Sequence, residues 1–155
     1  MAAKRHERTL ARRAAVQVLY SSEITGRSAS AIAEGTDLLV EDGVFPDYAL
    51  DLVRGIEAHR CSIDRQLADT SENWAVDRMP IIDRSILRLA VFEMMFVEDV
   101  PVSVSINEAV ELAKEFGGED DSPRFVNGVL GRIARQLEGE DSAGDVPASD
   151  DVEAV

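Results

Sequence analysis

The sequence predicts an all-α protein. Apolar residues recur at helical spacing through most of the chain, no alternating strand pattern competes with them, and serines and prolines suited to helix starts precede several of the periodic stretches. With 155 residues and no internal repeat, the chain is one domain, large enough to bury a core without disulfides or a structural metal.

A first helix is expected from Leu10, Ala14 and Val18, with Ala11, Ala15 and Leu19 on the adjoining row, and Gly26 ends it. Ser28 is suited to cap a short second helix carrying Ile32 and Leu39, and the segment from Glu41, Asp42 and Gly43 to Pro46 reads as a connection. After Pro46, the recurrence of Leu52, Val53, Ile56, Ile63 and Leu67 predicts one long helix up to the polar run Asp69 to Asn73. Trp74 and Met79 flank a turn, and Pro80 fits the first position of the next helix, where its missing N–H costs nothing.

In that next helix Ile82, Ile86, Leu89 and Ala90 share one face while Leu87, Val91, Met94 and Met95 share another. A helix apolar round so much of its circumference belongs at the centre of the domain, with the methionines as core filler. Ile106, Ala109, Val110, Ala113 and Phe116 mark a further helix, with Ser105 and Glu108 spaced as a capping box and Gly117 as a left-handed C-terminal glycine. The last helix takes Ser122 as cap and Pro123 as first residue; its apolar face is Phe125 or Val126, Val129, Leu130, Ile133 and Leu137. Beyond Glu138 the composition turns to Gly, Ser, Ala, Pro and acids, too polar to bury. The expected division is a flexible basic segment 1–7, a helical domain 8–137 and a disordered acidic tail 138–155.

The formal net charge is −14, yet it is unevenly spread. Residues 1–13 hold Lys4, Arg5, Arg8, Arg12 and Arg13 against Glu7 alone, whereas residues 138–155 hold seven acids and no base. The lone Cys61 excludes an internal disulfide and reads as a buried or half-buried inert thiol. His6 and His59 have no ligand spacing, so no zinc site is expected. No apolar run approaches the roughly 20 residues that span a bilayer, and the N-terminus lacks a signal-peptide pattern, so a soluble, cytoplasmic protein is expected.

Two stretches invite a chemical reading. Gly117 and Gly118 followed by Glu119, Asp120 and Asp121 have the look of a Mg²⁺ loop, but no phosphate-binding motif and no second carboxylate cluster accompany them. Local physics suffices: the glycines release one helix and the acids precede the positive end of the next. On the first helix, Arg8 and Arg12, with Arg5 or Arg13 one position round, fall at helical spacing. They form either a guanidinium ridge for phosphates or a solvated helix start, and Tyr20 lies two turns along the same side.

The run SINEAVELAKEFGGEDDSPRFVNGVLGRIA from Ser105 to Ala134, together with ARRAAVQVLYSSE near the start and DRSILRLAVFEM from Asp83 to Met94, resembles the NusB family of bacterial transcription antitermination factors. The likeness covers about residues 8–137. It implies an all-helical fold of two packed bundles, six to seven helices, with no catalytic site, cofactor or metal. It also implies binding of the boxA element of ribosomal RNA leader transcripts together with NusE, a small-subunit ribosomal protein, in a complex that carries RNA polymerase past termination signals.

Matched by position, the family's RNA-binding residues fall on Arg8, Arg12, Arg13, Tyr20, Asp121, Arg124 and Phe125. Its NusE-contacting helix falls on the segment from Asp83 to Glu93. The chain departs from the family pattern at Thr9 and Leu10, where a basic and a polar residue are common. A homodimer stays open, as do two other readings: a helical protein–protein adaptor, and a stand-alone relative of the NusB-like domain of ribosomal RNA cytosine methyltransferases.

Overall fold

The computed structural model describes residues 2–35, 45–71, 75–117 and 121–144. Within them lie seven α-helices and no strand: α1 (Ala2–Thr25), α2 (Ala29–Glu34), α3 (Asp47–Ala58), α4 (Arg60–Thr70), α5 (Ile81–Phe96), α6 (Val102–Phe116) and α7 (Ser122–Gly144). A single 3₁₀ turn, Val76–Arg78, precedes α5. The all-α expectation holds.

The helix expected at the centre is there. On α5, Ile86, Leu87, Leu89, Ala90 and Val91 are all buried, and the helix packs against α1, α3, α4, α6 and α7. Each such side chain removed from water contributes about 1.5–3 kcal/mol. Helices α1, α2 and α3 pack on one another, α4 to α7 form the second group, and α5 joins the two through α1 and α3. Met94 and Met95 are half-buried against the core.

Several local expectations change for identifiable reasons. The long helix after Pro46 is two, broken at His59, whose φ of −112° and ψ of 20° leave the helical region. Apolar periodicity is blind to the break because helical bonds continue across it: His59 N–H to Gly55 O at 3.0 Å and Ile63 N–H to His59 O at 3.0 Å. The His59 ring stacks on Phe96, centroids 4.1 Å apart. Cys61, just past the break, is exposed rather than buried.

Pro80 precedes α5 instead of opening it, and its carbonyl accepts the Arg84 N–H at 3.0 Å. Ser105 and Glu108 form no capping box, because α6 starts at Val102 and places both inside the helix. Asp121, not Ser122, provides the first carbonyl of α7, to the Phe125 N–H at 2.9 Å. The buried Ser122 hydroxyl donates to Asp83 Oδ2 at 3.2 Å and fastens the start of α7 to the start of α5. Helix α1 begins at Ala2, ahead of the boundary drawn at residue 8, and α7 runs to Gly144, past Leu137. Leu39, the Glu41–Gly43 connection, Trp74, Gly118, Glu119, Asp120 and residues 145–155 lie outside the described residues.

Two glycines stop helices by different means. Gly26 takes φ +77°, the left-handed conformation that L side chains resist. Gly117 does not: its φ is −63° and ψ 134°. It is a contact point, where an added Cβ would meet Ala113 O at 2.5 Å and Ser122 Cβ at 2.6 Å. Gly117→Ala is expected to destabilise the fold by about 1–3 kcal/mol through overpacking. Gly128→Ala, on α7 with nothing within 4 Å of the new methyl, is expected to add about 0.5–1 kcal/mol. Urea unfolding midpoints at unchanged m-value check both.

Candidate nucleic-acid interface

The arginines of α1 divide between two jobs. Arg12 faces inward and is 2% exposed. Its Nε donates to Glu93 Oε2 at 2.7 Å and its Nη1 to Glu108 Oε1 at 2.9 Å. Glu93, itself 1% exposed, also accepts the Tyr48 hydroxyl at 2.6 Å and the Ser105 hydroxyl at 3.1 Å. Thr9 donates to Glu108. Burial, then the hydrogen bond to Glu93, pushes the Tyr48 hydroxyl well above its usual range, so it stays a donor. This network ties α1, α3, α5 and α6 together.

Two sequence expectations are corrected here. Arg12, expected on an exposed ridge, is buried with its guanidinium bound to Glu93 and Glu108, and Glu93, expected at a partner surface, is buried as well. The cause is common: α5 is enclosed by its neighbours, so a carboxylate on its inner side requires an internal cation. Asp83, at 3% exposure and hydrogen-bonded to Ser122, is likewise interior. Both positions expected at the NusE contact are therefore buried here.

The remaining basic residues do reach solvent. Lys4 and Arg5 are exposed. Arg8 lies half-buried over the Tyr48 ring, 4.5 Å from its centroid, and pairs with Asp99 at 3.1 Å. That hydrogen bond holds the Asp99 carboxyl below the usual carboxylate range. Arg13 is exposed, pairs with Glu115 at 2.6 Å and lies 5.6 Å from the Phe116 ring centroid. Exposed pairs of this kind are worth about 0–1 kcal/mol, so a phosphate can displace the carboxylate at little cost. Tyr20 is 41% exposed. At the start of α7, Asp121 and Arg124 are exposed while Phe125 is half-buried against the core.

The structure shows how these parts meet. One cleft is lined by Lys4, Arg5, Arg8 and Arg12 with Asp99 to Pro101 and Val104. A second groove, between α6 and α7, is lined by Ser103, Ile106, Asn107, Val110, Pro123, Arg124 and Asn127. Val104 lines one and Ser103 the other, so the first turn of α6 borders both. Tyr20 lines neither. Sequence reading did not find Asn107 or Asn127, whose amides suit base or backbone contacts; nothing in their spacing marks them.

A second charged cluster was also missed. Glu23 accepts from Arg84 at 3.0 Å and from Arg88 and Arg60, and Arg88 and Arg60 both reach Asp64 as well. Partial burial pushes the Glu23 carboxyl up, but its bonds to Arg88 and Arg84 outweigh that, leaving it below 4.5. Among the described residues no group of His, Cys, Asp or Glu is arranged to hold a metal ion, and no helix is long and apolar enough to cross a membrane.

The NusB family model matches residues 9–135. The chain belongs to the NusB family. It is 43% identical over 133 residues to the transcription antitermination protein NusB of Nocardioides sp., covering 83% of this chain and 93% of the relative. It is 44% identical over 136 residues to that of Geobacter sulfurreducens, covering 84% and 95%. Among solved structures, NusB of T. maritima superposes with a TM-score of 0.72 at 33% identity, covering 83% of this chain and 90% of the other. A structure of antitermination factors NusB and NusE in complex with dsRNA matches with a TM-score of 0.69 at 27% identity, covering 84% and 98%. Membership in the NusB family makes the chain a transcription antitermination factor and not an enzyme.

Arg12→Ala is expected to cost about 3–5 kcal/mol in folding stability, because Glu93 is left buried and uncompensated; adding Glu93→Gln should recover part of it. Arg13→Ala should cost less than about 1 kcal/mol. Chemical denaturation distinguishes them. For Glu23 the folded pKa lies below the unfolded one, so its stabilisation is complete above about pH 4.5 and is lost as pH falls through the folded value. Urea midpoints measured from pH 5 to pH 3 should fall more steeply for the natural chain than for Glu23→Gln.

Proposed function

We propose that this NusB-family chain binds the boxA element of ribosomal RNA transcripts jointly with NusE, in the cytoplasm, and so helps RNA polymerase read through termination signals. The observation that carries the reading is the likeness, over 84% of this chain, to a NusB that was solved with NusE in complex with dsRNA. The paired grooves either side of α6 support it, since they join the two elements on which the RNA-binding positions fall.

In this reading Lys4, Arg5, Arg8, Arg13 and Arg124 hold the backbone of a single strand, while Tyr20 and the exposed edge of Phe125 take unstacked bases. Asp121 lies beside the path and rejects misplaced phosphates. Arg12 acts by positioning α1. Asp83 and Glu93 support the NusE-binding surface from within rather than touching the partner. The net charge of −14 repels RNA in general, but charges beyond a Debye length of about 8 Å are largely screened, so a local patch suffices. The patch alone is small, and NusE supplies the rest of the affinity.

Electrophoretic mobility shifts with boxA RNA, an altered boxA and added NusE test this. The expected result is a NusE-dependent shift, weakened by altering boxA, whose log affinity falls with log salt at a slope of about −3 for four phosphates. A flat salt response, or tight binding that does not need NusE, contradicts it. A helical adaptor without RNA affinity would give no shift under any condition.

A further inference from the structure

The two grooves beside α6 leave part of the basic surface unused. On the other flank of α7, facing α4, a polar cleft of about 500 Å³ is lined by Asp69, Thr70, Arg132, Arg135 and Gln136. Arg132 and Arg135 are exposed. Neither has an ion pair or hydrogen bond among the described residues, in a chain with 30 acidic residues to 16 basic ones.

Gln136 is held in one orientation. Its Oε1 accepts from Gln66 Nε2 at 2.7 Å and lies 2.8 Å from the Thr70 hydroxyl. With the carbonyl end engaged by α4, the amide N–H groups at the other end remain as donors, and no acceptor meets them among the described residues. The cleft therefore offers two guanidinium forks and a fixed amide donor, against one carboxylate, Asp69. That donor set matches the oxygens of a phosphodiester.

The placement along α7 links this cleft to the groove at Arg124. Arg135 follows Arg124 by eleven residues, which puts the two about 20° apart round the helix and about 16 Å apart along it. Between them on the exposed side lie Gly128 and Gly131, and no heavy atom comes within 4 Å of where a Gly128 methyl would stand. No bulky side chain interrupts the strip.

We propose that the α4–α7 cleft is a second, sequence-independent phosphate site, which takes the backbone of the RNA flanking the boxA element. The occupant rests on the RNA-binding reading; the anion chemistry does not. Arg132, Arg135 and Gln136 donate to phosphate oxygens, so the site positions the strand without reading a base.

The test has two arms on the full chain. In the first, ¹⁵N-labelled protein is titrated with inorganic phosphate at chloride-matched ionic strength while the Gln136 side-chain amide and the Arg132 and Arg135 Nε signals are followed. Saturable shifts in these signals are expected; in Gln136→Glu, which has no side-chain amide to follow, the Arg132 and Arg135 Nε shifts should be abolished. That variant keeps an oxygen toward Gln66 and Thr70 but replaces the donor with negative charge, so its unfolding midpoint should stay near that of the natural chain.

In the second arm, anisotropy with NusE compares a boxA core RNA with one extended by a uridine tract, over a range of salt. The extended RNA should show a slope steeper by about 1.4, corresponding to two further phosphates. The double variant Arg132→Gln, Arg135→Gln should remove that increment and leave the core RNA unaffected. Persistence of the increment in the double variant overturns the proposal, and so do signals that phosphate leaves unmoved. Phosphate binding without any gain from the extended RNA overturns RNA as the occupant. If the natural chain fails to bind the boxA core with NusE, the boxA reading falls, while the phosphate titration and the uridine tract alone still decide the cleft.

Discussion

The contact between Arg12 and Glu93 decides where everything else goes. A carboxylate on the enclosed side of α5 is tolerable only with a cation and further donors around it, and Arg12, Tyr48 and Ser105 come from three different helices to supply them. Their convergence fixes the rotation of α1 about its axis. Once Arg12 points inward, Arg8 and Arg13 are turned to either side of it, and the basic head takes its place beside the first turn of α6. An internal ion pair thus orients the external charges. On the proposed RNA-binding reading, removing Arg12 lowers the folded fraction first, whereas removing Arg13 tests contact.

The gross fold was legible because it follows from period and composition. Helical spacing of apolar residues located the elements, and the apolar girth of residues 81–96 marked the central one. What escaped was whatever depends on tertiary neighbours. The break at His59 keeps its i to i+4 bonds, so periodicity runs through it unmarked. Gly117 looked like a left-handed stop, but the need for glycine comes from Ser122 across the α6–α7 junction. Ser105 and Glu108 matched a capping box in spacing; they instead meet Glu93 and Arg12.

The candidate site was legible to a lesser degree. Composition separated a basic head from an acidic remainder, and resemblance supplied the residues at the start of α7. Neither reveals which side of a helix faces a neighbour when charged residues occur on both, which is why Arg12, Asp83 and Glu93 were read as surface positions. The ring of arginines about Glu23 was missed for the same reason, since its members come from α1, α4 and α5.

The narrow divide between the two grooves bears on how weak contacts add. Ser103 and Val104 are adjacent in the chain, yet each borders a different groove. On the proposed RNA-binding reading, a strand held in one is presented to the other at high effective concentration, so the second contact forms without a new encounter. Neither groove has to be a good binder alone. On that reading, avidity between two modest surfaces on either side of the first turn of α6 lets an acidic protein hold a polyanion without carrying a large basic face.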